Sequence, residues 1–237
     1  MDTTASARIV LVPGFWLGAW AWDEVAPLLR EQGHDVVAIT LPGLEPEHPA
    51  RGEVTLDDQV AAIEAAIGDG PVVLVAHSGA ALPATIAIDR NVDRVVRSVW
   101  VDTVPAVDGA VMDASFEGDE LPLEAAWDDE MAQGSMRGLS DEQLEELRTR
   151  AVPEPAGAVR GAAELRDERR LDVPATIICT AFSADEYRAF SDQGVPFLAG
   201  ILKHRALTLV DLPTGHWPMW SEPQRLAELI GEAAAGA

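Results

Sequence analysis

Short apolar runs rich in β-branched residues alternate with amphipathic segments of helical length along this chain, and this alternation restricts the possible folds more than any other feature. The predicted strands lie at residues 8–13, 35–42, 71–76, 94–102, 174–180 and 206–212. Their apolar residues are continuous rather than alternating, which is typical of parallel strands covered by helices on both faces. The chain of 237 residues is also long enough to bury a sizeable core. We therefore predict a single α/β domain over residues 1–237.

Residues 106–170 interrupt the alternation, because no strand pattern occurs among them. Between residues 108 and 146 the chain carries thirteen acidic residues and one arginine. An insertion of this length after the fourth strand predicts a small helical lid over the carboxyl ends of the strands, where open α/β sheets bind ligands. Phe116, Trp127, Met131 and Met136 would give this lid an apolar side. The alternative is a solvated, partly disordered loop.

The charge of the chain limits its partners. It has 17 basic and 40 acidic residues, which gives a net charge of −23. Nucleic acid and anionic membranes would be repelled, so we expect neither as a partner. The single cysteine, Cys179, lies in an apolar run and excludes an internal disulfide. Pro13 and Gly14 interrupt the first apolar run, unlike the continuous segment of a signal peptide, so the default expectation is a cytoplasmic protein.

A candidate nucleophile follows the third predicted strand, in the sequence AHSGA at residues 76–80. A strand that leads through a tight turn around a serine into a helix is the pattern of a nucleophile elbow, which needs small residues two before and two after the serine. Ala76 and Ala80 meet this requirement. Ser78 would then stand at a helix N-terminus, where negative charge is favoured. A serine at a helix start is otherwise most often only a cap.

A nucleophilic serine needs a base, and His216 is the histidine best placed for it. It follows the last predicted strand in the sequence TGHWP. Because the carboxyl ends of parallel strands meet at one edge of a sheet, His216 is expected beside Ser78. His77 adjoins the serine, and we expect its side chain to point away as packing. The alternative is that His216 is a loop residue with no catalytic role.

These motifs together resemble those of an α/β-hydrolase-fold serine hydrolase, and within that fold the plant methylesterase and hydroxynitrile lyase family. The similarity lies in LVPGFWLGAWAWDEVAPLLREQGHDVVAITLPGL at residues 11–44, VVLVAHSGA at 72–80 and GHWPMWSEPQRLAEL at 215–229. It covers the core and is weak in the insertion. It implies a six-stranded, mainly parallel sheet in the order 2-1-3-4-5-6, with helices on both faces.

The resemblance also implies an oxyanion hole. Its two donors would be the backbone N–H groups of Phe15 and Gly79. Pro13 stands where the family usually has a histidine, but a backbone donor survives that change. The alternative interpretation of Phe15 and Trp16 is that their side chains serve only as ordinary packing.

The acid of the triad departs from the family pattern. The family's aspartate after the penultimate strand is replaced here by Phe182, in CTAFSADEY at residues 179–187. Asp102, which ends the fourth strand, is an acid position used elsewhere in the wider fold. A charge closing an apolar strand is costly to bury unless it is paired, which favours Asp102 over Asp185, the alternative.

We therefore predict a serine hydrolase. It would cleave an ester, lactone or thioester of a small, mainly apolar molecule, and we expect it to need no cofactor and no metal. Carbon–carbon bond cleavage on the same scaffold and a non-catalytic ligand-binding protein are the alternatives. The family's cyanohydrin-cleaving members have a threonine and a lysine where this chain has Gly14 and Trp217. This difference argues against cyanohydrin cleavage. The predicted apolar lining of the substrate pocket comprises Trp16, Phe116, Trp127, Met131 and Trp217.

Overall fold

The computed structural model describes residues 7–236, so the predicted domain of 1–237 extends beyond the described residues at both ends. Its main sheet has six strands in the order β2-β1-β3-β4-β7-β8, and every neighbouring pair is parallel. These strands are β1 Arg8–Val12, β2 Val36–Ala38, β3 Val72–His77, β4 Val95–Val101, β7 Ala175–Cys179 and β8 Leu207–Asp211. When these six strands are numbered one to six along the chain, their order is the predicted 2-1-3-4-5-6, and the predicted fold class is confirmed.

The helices cover both faces of this sheet. They are α1 Val25–Glu31, α2 Leu56–Ile67, α3 Ala81–Arg90, α4 Trp127–Gln133, α5 Asp141–Arg150, α6 Ala156–Arg160, α7 Ala184–Asp192, α8 Ala199–Lys203, α9 Pro218–Ser221 and α10 Pro223–Ala235. Short 3₁₀ helices occur at Ala19–Trp22, Arg51–Glu53, Ser78–Ala80, Leu123–Ala125, Glu168–Asp172 and Pro196–Leu198. Thr55 and Asp58 form a reciprocal capping box that starts α2.

Alternate residues of each central strand enter two separate hydrophobic clusters. Val10 and Leu74 belong to the cluster under α2 and α3, whereas Ile9 and Val73 belong to the cluster under α1 and α10. All four side chains are fully or almost fully buried, and burying a side chain of this size stabilises a fold by about 1.5–3 kcal/mol. Burial on both faces explains why the strands are continuous apolar runs.

The insertion between β4 and β7 is packed onto the fold and is not purely helical. Besides α4, α5 and α6 it contains two short strands, β5 Glu120–Leu121 and β6 Glu154–Pro155, which pair in antiparallel fashion. The sequence predicts no strand here, because two residues are too few to produce a pattern. Leu123 and Leu147 anchor the insertion in the cluster under α1 and α10. Its role as a lid over the carboxyl ends of the strands stays a prediction.

Across residues 7–236, no helix combines the length and apolar character that a bilayer crossing would require.

Candidate active site

Ser78 lies at the sharp turn between β3 and α3, in a strained backbone conformation. Its φ is +51°, a region that costs a residue other than glycine about 1–2 kcal/mol. Close neighbours hold the turn in place: a Cβ atom added to Gly14 would lie 2.8 Å from the Ser78 Cβ. Ala76 and Ala80 are both almost completely buried, so larger residues would not fit. The turn therefore has the geometry of the predicted elbow.

His216 contacts Ser78 from the loop after β8. Its Nε2 lies 2.6 Å from Ser78 Oγ, and its Nδ1 lies 2.6 Å from Asp102 Oδ2. In the tautomer that satisfies both contacts, the serine hydroxyl donates to Nε2 and the Nδ1–H group donates to the carboxylate. The three side chains thus form one continuous hydrogen-bonded chain from the serine hydroxyl to a carboxylate.

The insertion and the elbow hold the backbone of His216 from two sides. The His216 N–H group donates to the Ser135 carbonyl at 2.7 Å. The His216 carbonyl accepts from Nε2 of His77, also at 2.7 Å. Gly215 permits the close approach of the insertion, because a Cβ atom there would lie 2.3 Å from the Arg137 carbonyl oxygen. The position of the imidazole therefore depends on residues distant in sequence.

His77 has a polar contact that the sequence does not predict. The ring is buried but does not point away as mere packing, since it donates to the His216 carbonyl. Burial and the neighbouring charge of His216 lower the pKa of His77 to about 3. His77 therefore stays neutral at physiological pH, and this contact requires the tautomer that has its single N–H group on Nε2.

Asp102 lies at the end of β4 and is only 7% exposed. Its Oδ1 accepts hydrogen bonds from the N–H groups of Thr180 and Ala181, each at 3.2 Å, and from the Tyr187 hydroxyl at 3.1 Å. Burial opposes its ionisation, but the hydrogen bond from His216 and the charge of His216 outweigh it and lower the pKa of Asp102 to about 2. Asp102 is therefore a carboxylate at neutral pH.

The alternative acid, Asp185, does not contact His216. It lies in the first turn of α7 with 95% of its side chain exposed, and it pairs with Arg188 at 3.1 Å. Phe182, at the position of the family's aspartate, is 51% exposed. Its ring packs edge-on against Phe190, with the centroids 5.6 Å apart. The structure thus brings Asp102, and not Asp185, to the imidazole.

The predicted oxyanion loop packs directly against the elbow. The Phe15 ring lies over Gly79 so closely that a Cβ atom there would be 2.3 Å from it. Glycine at position 79 is therefore required by the close approach of this ring. The Phe15 side chain and Gly79 therefore lie side by side, and the role of their backbone N–H groups as oxyanion donors stays a prediction.

Trp16 joins this loop to the insertion rather than to a substrate pocket. Its φ is +68°, and two hydrogen bonds hold it in this conformation. Its indole N–H group donates to the Leu121 carbonyl at 3.0 Å, and its carbonyl accepts from the Val152 N–H group at 2.9 Å. The conformation of the predicted oxyanion loop therefore depends on β5 and on the segment just before β6.

Glu154 is a buried acid, and its raised pKa predicts that the stability of the protein depends on pH. Burial raises its pKa to about 7 from an ordinary value of 4.5, although the Gln59 amide donates to Glu154 Oε1 at 2.8 Å. Because the folded protein holds this proton more tightly than the unfolded chain, the free energy of unfolding should fall as the pH rises from about 4.5 to 7. Glu154→Gln should remove that fall and make the variant more stable than the wild type above pH 7 by about 3 kcal/mol.

Urea denaturation at pH 5 and pH 8 measures this difference. Glu117→Gln, in an exposed part of the same insertion, is the matched control and should leave the pH dependence unchanged. Parallel pH dependences in the wild type and Glu154→Gln would contradict the assignment of this titration to Glu154.

A cavity of about 540 Å³ adjoins Ser78. Its apolar wall consists mainly of residues after β7 and in the insertion, namely Met112, Phe182, Phe190, Val195, Phe197 and Leu198. Glu130, Gln133 and Ser135 add polar groups. None of the described residues that line it is a lysine or an arginine.

The five residues predicted to line the substrate pocket are absent from the lining of this cavity, and that prediction is corrected here. Trp217 and Trp16 are buried in the cluster under α1 and α10. Trp127 is held by Arg148, whose guanidinium carbon lies 3.9 Å from the ring centroid. Met131 is exposed to solvent, and Phe116 is half-buried in the insertion.

Several residues of the site had no signal in the sequence. Tyr187 contacts Asp102 although the two residues are far apart in the chain. Phe197 lies in a short 3₁₀ helix whose position against the cavity depends on how α7 packs. The apolar composition of residues 195–198 is visible in the sequence, but it does not distinguish a cavity wall from a core segment. Within residues 7–236, no cluster of three or more His, Cys, Asp or Glu side chains is arranged to hold a metal ion.

Known proteins resemble this chain in sequence and in fold. Residues 9–229 match the Alpha/beta hydrolase family. Methylesterase 7 from Arabidopsis thaliana is 24% identical over 99% of this chain and 98% of its own length. Methylesterase 8 from the same plant is 35% identical, but the match covers only 40% of this chain and 36% of that protein. A crystal structure of a methylesterase protein from Arabidopsis superimposes with a TM-score of 0.72 at 18% identity, covering 98% of this chain and all of that one.

Proposed function

This chain belongs to the alpha/beta hydrolase family, and from that premise we propose that it is a serine hydrolase. The proposed reaction is cleavage of a carboxylic ester, lactone or thioester of a small, mainly apolar molecule through an acyl-enzyme on Ser78. Hydrolysis by an esterase-type enzyme agrees with the names of its relatives, which include several methylesterases. The serine intermediate and the substrate class are the parts that we propose.

The observation that carries the proposal is the pair of 2.6 Å contacts that His216 makes with Ser78 and Asp102. Ser78 attacks the substrate carbonyl while His216 Nε2 takes the hydroxyl proton. The resulting imidazolium is stabilised by the Asp102 carboxylate, and it then gives the proton to the leaving group. Water repeats the sequence on the acyl-enzyme and releases the acid, which returns the proton and the serine to their starting states.

The oxyanion of each tetrahedral intermediate needs hydrogen-bond donors. We assign this role to the backbone N–H groups of Phe15 and Gly79, each of which contributes about 3 kcal/mol in comparable sites. The two hydrogen bonds that Trp16 makes with the insertion hold the loop of Phe15 in place before substrate binds. Such a preformed donor pair lowers the barrier because it does not have to reorganise during the reaction.

The character of the cavity supports a neutral or cationic apolar substrate. Its wall is mainly apolar, and Glu130 is a charged group that faces it from the insertion. A carboxylate or phosphate on the substrate would lie near this acid, in a protein of net charge −23. The proposed partner is thus a small molecule, with neither nucleic acid nor a membrane involved. A cytoplasmic location is proposed from the sequence.

Covalent labelling with a fluorophosphonate tests the proposal directly. The Ser78 oxygen would form a bond to phosphorus and displace fluoride, so intact-mass spectrometry should show one adduct per chain, and peptide mapping should locate it at residue 78. The same protein unfolded in guanidinium is the control and should not react, because the activated hydroxyl requires the assembled triad. A folded wild-type protein that stays unlabelled would favour the non-catalytic binding protein.

A further inference from the structure

A second cavity adjoins the one beside Ser78. Its volume is about 450 Å³, and it shares Ala81, Met112 and Phe197 with the catalytic cavity. Because three residues form walls of both spaces, the cavities are neighbours separated by these side chains. Met112 and Phe197 are 46% and 55% exposed, so neither is fixed in the core.

The second cavity is lined almost entirely by apolar groups. One wall is the segment of residues 104–111 that follows β4, and the other is formed by Pro196, Phe197 and Gly200. Asp108 is the charged residue of the lining, and its Oδ1 already accepts a hydrogen bond from the Leu165 N–H group at 2.9 Å. A ligand group that enters this space therefore meets mainly carbon atoms.

Small residues keep this space open. Gly109 and Ala110 line it without a bulky side chain. The two walls touch at Gly200, where an added Cβ atom would lie 1.8 Å from the Pro105 carbonyl oxygen. The walls are thus packed together at Gly200 and separated beside Ala110.

Large apolar side chains are exposed around the same region. Met112, Phe182, Val195 and Phe197 all line the catalytic cavity, and each is more than a third exposed. Clustered exposed apolar side chains mark binding surfaces, and ligand-binding grooves are one kind of such surface. Together with the two adjoining cavities, these side chains outline an elongated apolar cleft with the serine near one end.

We propose that the two cavities form a single binding cleft, and that the substrate is an ester with a long or bulky apolar arm that passes Met112 and Phe197 into the second cavity. This inference rests on the proposed serine hydrolase function and names the substrate class of that site. Each methylene group that enters the second cavity should raise kcat/KM about fourfold, from the transfer free energy of a buried methylene. Esters too short to reach it gain nothing from it.

Two ester series of increasing chain length test the cleft, one extended on the acyl side and the other on the alcohol side. In at least one series, kcat/KM should rise steeply once the arm is longer than the catalytic cavity accommodates. The series that rises identifies the arm. A flat or falling dependence in both series, with short esters still cleaved, would overturn the inference and leave the proposed function intact. Cleavage of no ester would overturn both.

Ala110→Phe fills the second cavity and supplies the matched variant. Ala110 lines only this cavity, and its hydrogen bonds are made by the backbone, which the substitution preserves. The ratio of kcat/KM for long esters to that for acetates should fall about 100-fold, the loss of three to four methylene contacts. Ala65→Phe, on the exposed face of α2, is the control and should leave both values unchanged.

Phe197→Ala keeps the test decisive if Ala110→Phe does not fold. Phe197 is exposed and lies in a short 3₁₀ helix, so its truncation does not open the core. It should lower the same ratio about tenfold, because the arm loses one wall of its path. An unchanged ratio in whichever variants fold would show that no arm occupies the second cavity, and would overturn the proposal.

Discussion

Replacing Ser78 by alanine should lower kcat for a carboxylic ester by about 10⁶-fold, the loss seen when the serine of such a triad is removed. Without the hydroxyl no acyl-enzyme forms, and His216 has no nucleophile to activate at 2.6 Å. The remaining activity comes from the oxyanion donors acting on water. Initial-rate measurements on an activated ester at high enzyme concentration give the value, and KM should change little.

Ser115→Ala is the matched control for this variant. Ser115 is exposed in the insertion, where its hydroxyl donates only to Asp113. Its removal should leave kcat unchanged. If Ser78→Ala retained a tenth or more of the wild-type kcat, Ser78 would not be the nucleophile, and the proposed function would be wrong.

Asp102→Asn should lower kcat by about 10⁴-fold, whereas Asp185→Asn should have no measurable effect. The asparagine amide keeps the size of the carboxylate, but it favours the imidazole tautomer that cannot accept the serine proton, and it no longer stabilises the imidazolium. Asp185 is solvated and pairs only with Arg188. Kinetics of both variants on the same ester measure the difference.

Tyr187→Phe tests how much the positioning of Asp102 contributes to kcat, because the substitution leaves the carboxylate and its charge in place. The Tyr187 hydroxyl donates to Asp102 Oδ1, while two backbone N–H groups donate to the same oxygen. Losing one of three donors should reduce kcat far less than Asp102→Asn does, within about tenfold, a net loss of roughly 0.5–1.5 kcal/mol.

The comparison of the two aspartate variants has a contradicting outcome. A large loss of kcat in Asp185→Asn together with an active Asp102→Asn would move the acid role to Asp185.

The core of the fold could be predicted because its signals are local. The strands at 71–76 and 174–180 are apolar runs of the length that a buried strand requires, and both are strands in the structure. Thr55 and Asp58 start a helix through a contact between residues three apart. The short strands β5 and β6 could not be predicted, because each has two residues and its pairing partner lies more than thirty residues away.

The site divides in the same way. Ser78 and His216 were identified from local motifs, a small-residue turn after one strand and a Gly-His loop after another, and the structure places them in contact. The predicted pocket residues Trp16 and Trp217 are core residues instead. An aromatic side chain satisfies a core or a cavity equally well, so its residue type does not say which of the two it lines.

The sequence by itself determined which segments become strands, which turn presents the serine and which residues could supply the base and the acid. These features depend on residue type and on spacing over a few positions, so they can be read along the chain. Only the tertiary structure placed Asp102, and not Asp185, beside His216, joined Trp16 to the insertion and opened a second apolar cavity beside Met112 and Phe197. These outcomes depend on packing between segments far apart in the chain, where a shift of one or two ångströms makes or removes a hydrogen bond.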